Sequence, residues 1–153
     1  MALYLVQHGK SLPKDVDPDQ GLSDEGLAET KRIADVARSY QVEVSLIRQS
    51  GKKRARQTAE ILAEALKPAE GVAEVSGLKP LDDVAACAAG LDAAAHTMLV
   101  GHLPFMERMA SFLITGSAEK PIFKFQNSGI VCLKKDPEPG SWVIAWALMP
   151  NVG

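Results

Sequence analysis

The 153-residue chain is short of several things, and each shortage excludes something. It has two cysteines, Cys87 and Cys132, with no Cys-x-x-Cys pair and no histidine at metal-ligand spacing from either. A disulfide framework and a cysteine-built metal cluster are therefore not expected. Two reduced thiols packing as small apolar groups suit a cytoplasmic setting. No long apolar run is present: Ala2 to Val6 is too short for a signal segment and lacks a basic flank, and nothing approaches spanning length, so no membrane association is expected. Seventeen basic against nineteen acidic residues leave a formal net charge of −2, without the basic excess that nucleic-acid binding needs. A local cationic pocket stays possible. What remains is an ordinary soluble composition, 46% hydrophobic and 24% charged. The length suits a single domain over residues 1–153, enough to bury roughly two thirds of the unfolded surface.

Strand-like and helix-like segments alternate, the mark of an α/β layer fold. Leu3 to Gln7 is a continuous apolar run and reads as a central strand buried on both faces. After a polar loop, Ser23 with Asp24 and Glu25 signals a helix start, and that helix runs to about Tyr40 with Leu27, Ile33, Val36 and Ala37 facing inward. Val42 to Arg48 reads as a strand and Lys53 to Leu66 as a helix with Ala59, Leu62, Ala63 and Leu66 inward. Val72 to Val75 is a short strand, and the alanine-rich Asp82 to Ala95 a surface helix. Thr97 to Val100 is another buried strand. Pro104 opens a helix that Gly116 ends. Ile122 to Phe125, Ile130 to Lys134 and Trp142 to Leu148 complete the sheet, with Gly129 and Pro139-Gly140 at turns.

Histidine is scarce too, at three residues, which makes the placement of two of them informative. His8 ends the first apolar run in Val6-Gln7-His8-Gly9-Lys10. His102 ends another in Val100-Gly101-His102-Leu103-Pro104. In open α/β sheets ligands bind just past the carboxyl ends of the strands, where both histidines fall. A neutral imidazole is a good nucleophile toward phosphorus at pH 7, and a second can stabilise the developing charge. Gly9 permits close backbone approach to a phosphate and Lys10 adds charge. Read as structure alone, His8 is a strand-end residue hydrogen-bonded to backbone. His96 lies at the opposite end of its strand and reads as an exposed loop residue.

A third stretch, Gln49-Ser50-Gly51-Lys52-Lys53-Arg54-Ala55-Arg56-Gln57-Thr58-Ala59, carries a strand into a helix N-terminus, already an anion site through its free N–H groups and dipole. Arg54, in the first turn, brings a guanidinium that grips two phosphate oxygens at once. Thr58, one turn on, either holds Arg54 or faces the core. Lys52, Lys53 and Arg56 read as a solvated basic face.

Taken in order along nearly the whole chain, Gln7-His8-Gly9, Leu22-Ser23-Asp24-Glu25-Gly26, Arg54-Ala55-Arg56-Gln57-Thr58-Ala59 and Gly101-His102-Leu103-Pro104 resemble the landmarks of the histidine phosphatase superfamily, the phosphoglycerate-mutase-like group. The chain looks closest to its small SixA-type phosphohistidine phosphatases. The resemblance implies a three-layer α/β/α domain with a mostly parallel mixed sheet. It also implies no metal or cofactor, a covalent phosphohistidine on His8, and a pocket completed by Arg54 and His102. Gln7, Gly9, Lys10 and Gln20 would join Arg54 and His102 around the substrate. Two positions depart from the pattern: Gln7 stands where the family motif has the arginine of Arg-His-Gly, and Gln20 stands near where it has a second arginine. Losing one preorganised donor to a developing oxyanion costs about 3 to 4 kcal/mol, and a neutral donor kept in place of a charged one costs less. No inserted segment carries the glutamate proton donor of larger members; Asp82 or Asp83 could serve, though helix capping is the plainer job for both. A phosphohistidine substrate needs a donor less, because imidazole leaves more easily than an alkoxide.

The expectation is thus a metal-independent phosphatase acting on phosphohistidine in a protein. The competing expectations are a weakened or inactive phosphate- or phosphoprotein-binding member of the fold, favoured by Gln7 and Gln20, and a phosphomonoesterase for a small phosphorylated molecule.

Overall fold

The computed structural model describes residues 2–92, 95–137 and 140–152. In chain order the elements are β1 (Ala2–Gln7), α1 (Asp24–Ser39), β2 (Leu46–Gln49), α2 (Lys53–Leu66), β3 (Val72–Glu74), α3 (Val84–Ala89), β4 (Thr97–Gly101), α4 (Phe105–Thr115), β5 (Ile130–Lys135) and β6 (Trp142–Leu148). Among the described residues the strands form one six-stranded sheet in the order β3-β2-β4-β1-β5-β6. The first four run parallel, while β5 pairs antiparallel with β1 and β6 antiparallel with β5.

Strand alternation decides which layer each side chain joins. Along β1, Ala2, Tyr4 and Val6 pack with Ile33, Ala34 and Ala37 of α1 and with Ala55, Ala59 and Leu62 of α2. Leu3 and Leu5 pack on the other face with Val84 of α3 and Phe105, Met106, Met109 and Ala110 of α4. A sheet covered on both faces by helices is the expected three-layer α/β/α fold, and β1 is buried on both sides, as its unbroken apolar run requires.

Helix ends follow the expected chemistry. Ser23 caps α1 by accepting from Gly26 N, and Gly116, at φ 81°, closes α4. The inward face of α1 differs from expectation. Gly26, Thr30, Ile33, Ala34 and Ala37 are buried, whereas Leu27 is 36% exposed and Val36 only half-buried. A polar Thr30 sits inside because its hydroxyl bonds Gly26 O and Ser128 Oγ.

Three further elements differ. β2 begins at Leu46, not Val42, because residues 42–45 turn the chain out of α1: Val42 N bonds Ala37 O and Ser45 N bonds His96 O. The helix expected over Asp82–Ala95 is the shorter α3, ended at Gly90; Ala93 and Ala94 lie outside the described residues, as does Pro139 of the expected Pro139-Gly140 turn. Ile122–Phe125 is not a strand. β1 already has β4 and β5 as neighbours, so this segment is held by its side chains, with Phe123 and Phe125 edge to face at 5.5 Å in the α4 core.

Candidate active site

Parallel pairing of β1 with β4 places Gln7 opposite Gly101, so the next residue of each strand lies at the same edge of the sheet. His8 N bonds Gly101 O at 2.9 Å, and the His8 and His102 rings stand 5.1 Å apart between centroids, tilted by 52°. Residues 94 positions apart in sequence are thus neighbours. The β2–α2 junction reaches the same edge: Arg54 Nε donates to His8 Nε2 at 3.3 Å. No side chain caps α2, whose first turn therefore offers free N–H groups beside these residues.

The hydrogen bonds assign the state of His8. Its Nδ1 lies 2.7 Å from Gly9 O, an oxygen that only accepts, so the ring proton is on Nδ1. Nε2 then carries the lone pair, and Arg54 faces it. Burial pushes the His8 pKa down to about 4, with the Arg54 charge adding to the effect and the bond to Gly9 O opposing it. The backbone of His8 is pinned as well. Asn127 Nδ2 donates to His8 O at 2.9 Å, and Gly9 N donates to Thr58 Oγ1 at 2.9 Å. Thr58 is fully buried and also donates to Arg54 O, so one hydroxyl couples the His8 loop to the helix that carries Arg54.

His102 is 1% exposed. Burial lowers its pKa to about 3, reinforced by His8, Arg54 and Lys52. Its Nε2 lies 2.6 Å from Ser50 Oγ, and its Nδ1 is buried without a hydrogen-bond partner. Both imidazoles are therefore neutral at pH 7.

The other expected site residues are placed as follows. Gly9 follows His8, but the space a Cβ would need is filled by Thr30 Oγ1 at 2.8 Å and by Leu22 and Ser128 at 3.1 Å. The glycine is thus required by packing inside the protein, whatever its use at a phosphate. Gln7 sits beside His8, and its Oε1 is buried with no hydrogen-bond partner. Lys10 bonds Glu25 Oε1 at 2.7 Å and lies 3.5 Å from Glu29 Oε1, so its charge is already compensated. Gln20 occupies a left-handed turn at φ 51° on the loop leading to Leu22, and no side-chain contact joins it to His8. Of the residues read as a solvated face, Arg56 fits with its exposed i,i+4 pair to Glu60, whereas Lys53 is paired with Asp17 at 2.9 Å. Lys52 is half-buried and near enough to His102 to act on its pKa. Asp83 caps α3 by accepting from Ala85 N, and Asp82 accepts from Lys79 N. His96 is half-buried rather than exposed, its Nδ1 is unpartnered, and it lines a cavity with Tyr4, Tyr40 and Trp146.

Sequence reasoning passed over Ser50, Gln57 and Asn127. Ser50 and Gln57 lie within the stretch already singled out, where Gln57 Oε1 accepts from Leu22 N at 2.7 Å. Asn127 carried no local signal, since it reaches His8 only through the fold. Among the described residues no group of three or more His, Cys, Asp or Glu side chains is placed to hold a metal ion, and no helix is long and apolar enough to cross a membrane.

The sequence signature of the Histidine phosphatase superfamily (branch 1) matches residues 3–84, more than half of the chain, and includes His8 and Arg54. The chain belongs to the histidine phosphatase superfamily. Solved structures agree along the whole length. A protein histidine phosphatase SixA complexed with tungstate is 26% identical with a TM-score of 0.84, over 98% of this chain and 97% of that one. An Agrobacterium tumefaciens protein assigned as phosphohistidine phosphatase SixA is also 26% identical, with a TM-score of 0.78 and 98% of each chain covered. An Escherichia coli protein assigned as an alpha-ribazole-5'-P phosphatase shares the fold at 14% identity, with a TM-score of 0.78 over 100% of this chain and 99% of that one. No curated protein matches the sequence significantly. Membership of this superfamily and likeness to SixA structures make the chain a phosphatase by family.

Proposed function

We propose that residues 1–153 act as one cytoplasmic domain that removes a phosphoryl group from phosphohistidine in a protein, without a metal, through a phosphorylated His8. The observation that carries this reading is the neutral His8: its proton is held on Nδ1 by Gly9 O, and its Nε2 lone pair faces Arg54 at 3.3 Å. In the first step Arg54 Nε leaves His8 Nε2 for a phosphoryl oxygen, the freed Nε2 lone pair forms a bond to phosphorus as the P–N bond of the substrate breaks, and the departing imidazole takes a proton from water, leaving hydroxide. In the second step water attacks phosphorus, the His8–P bond breaks and inorganic phosphate leaves, while the proton shed by the attacking water neutralises the hydroxide left by the first step. Arg54, the first turn of α2 and Lys52 supply positive charge to the phosphoryl oxygens. His102 supplies a hydrogen bond once Ser50 releases its Nε2. Gln7 and Gln20 line the approach, Gly9 is packed against Thr30, Leu22 and Ser128 and serves by letting the His8 loop sit there, and Lys10 contributes only by leaving its carboxylate partners. The two free cysteines fit a reducing compartment.

The test is phosphoryl transfer from phosphoimidazole to the protein. An acid-labile, base-stable adduct is expected on the parent and not on a His8→Ala variant. Label that persists in the variant, or none on the parent, overturns the assignment. A weaker, binding-type role is favoured by two observations, the unpartnered Gln7 and the compensated Lys10, which leave the pocket poor in free cations. Multiple turnovers by the parent protein would remove that reading.

A further inference from the structure

A cavity of about 300 Å³ has Gln7, Lys10, Glu29, Leu103, Phe125, Asn127 and Pro150 in its lining. Gln7 precedes His8 and Leu103 follows His102 in sequence, and Asn127 of the lining donates Nδ2–H to His8 O, so the cavity adjoins the backbone that carries His8. Among the described residues four buried side-chain polar atoms lack a hydrogen-bond partner, and two of them, Gln7 Oε1 and Glu29 Oε1, belong to this one cavity. Both are acceptors. A buried acceptor without a donor costs free energy, and such groups in a folded protein call for an explanation. Charge points the same way. Lys10 faces two carboxylates, Glu25 at 2.7 Å and Glu29 at 3.5 Å, so this cluster keeps one negative charge over. Glu29 is the more sheltered of the pair, its side chain 12% exposed, and its other oxygen accepts from Asn151 Nδ2 at 3.2 Å. Leu103, Phe125 and Pro150 are apolar members of the same lining.

A lining that joins apolar carbon to a carboxylate sharing its lysine with a second one, and to an amide oxygen without a donor, matches the build of one kind of side chain, a long methylene stem with a cationic head. We propose that this cavity is a specificity subsite for a lysine or arginine side chain of the protein substrate, placed within two residues of the phosphorylated histidine. The stem lies along Leu103, Phe125 and Pro150, and the head donates to Glu29 and Gln7. The proposal rests on the phosphohistidine reading above and narrows it to substrates with a basic neighbour. It also gives Gln7 a use: an arginine there would add a like charge against the incoming head and occupy part of the space.

The experiment uses phosphohistidine peptides that carry lysine or norleucine at one of the two residues on either side of the phosphohistidine; norleucine keeps the stem and removes the charge. Phosphate release gives KM and kcat, and calorimetry on the His8→Ala protein gives affinity without turnover. In at least one position the lysine peptide is expected to show a KM about tenfold below that of the norleucine peptide, the scale of a close, partly buried charge pair. Glu29→Gln is expected to bring the ratio toward one. Glu29→Lys is expected to reverse the preference in favour of a glutamate peptide. Equal KM values for lysine and norleucine at every position, or a lysine preference unaltered in Glu29→Gln, overturn the subsite. Tighter binding of the lysine peptide by His8→Ala, with no labelling of the parent protein, upholds the subsite and overturns the phosphatase chemistry. Labelling and turnover without a lysine preference do the reverse.

Discussion

Acid should unfold this protein through its paired imidazoles. His8 has a pKa of about 4 when folded, against an ordinary 6.5, because burial and the Arg54 guanidinium disfavour its charged form. His102 is lowered further, to about 3, by burial, His8, Arg54 and Lys52. Between these values and 6.5 the folded chain binds fewer protons than the unfolded chain. Stability therefore rises with pH across that window and is lost as pH falls through it. For His8 alone, lowering the pH from about 7.5 to about 4.5 costs about 2.5 kcal/mol, a large share of the 5 to 15 kcal/mol typical of a domain. His102 acts in the same direction. The assay is urea unfolding at pH values across this range for the parent and for His8→Gln, which keeps a side chain that donates and accepts but does not titrate there. The parent should lose about 2.5 kcal/mol more than the variant over the interval. Parallel curves would show that the His8 site does not disfavour the charged ring, and the neutral nucleophile would go with it.

Two other substitutions report on the same loop. Gln7→Arg should speed labelling of His8 in single-turnover experiments by about tenfold, since a hydrogen bond to an ion is worth about 1 to 1.5 kcal/mol more when the donor is charged, and it should abolish the lysine preference of the neighbouring cavity. A folded variant with no gain in labelling would show that the position is not directed at the phosphoryl group. Thr58→Val removes the acceptor of Gly9 N and the donor to Arg54 O in a fully buried position. It should cost about 1 to 3 kcal/mol of stability in urea unfolding and lower kcat more than KM rises, because His8 loses its anchor to α2. Unaltered stability would mean that water replaces the hydroxyl and that Thr58 is no tie.

The two functional strand ends were legible because β1 and β4 are buried on both faces, and a strand buried twice leaves an unbroken apolar run that stops where the loop begins. Lys53–Leu66 was legible for a similar reason, its period being set by a single packed face. Ile122–Phe125 was not: its apolar residues are buried by packing against α4, and burial without ladder partners looks the same in sequence as a strand. The α1 face was misjudged at Leu27 and Thr30, since a hydroxyl with two partners can go inside while a leucine near a helix start need not.

By itself the sequence determined that buried strands end in His8 and His102, that a helix begins at Lys53 with Arg54 in its first turn, and hence which side chains are available for phosphoryl chemistry. These are local properties, written in short runs of hydrophobicity and in single turn residues. Which side chains are free to act was decided only by the tertiary structure. Lys10 is taken up by Glu25 and Glu29, His102 Nε2 is shared with Ser50, Gly9 is enforced by Thr30, and Gln7 borders a cavity with Glu29. Each of these partners lies between 15 and 52 residues away, or comes from another element across the sheet. No local pattern encodes such pairings, because the register of β1 against β4 and the seating of α1 and α2 on one face set them together.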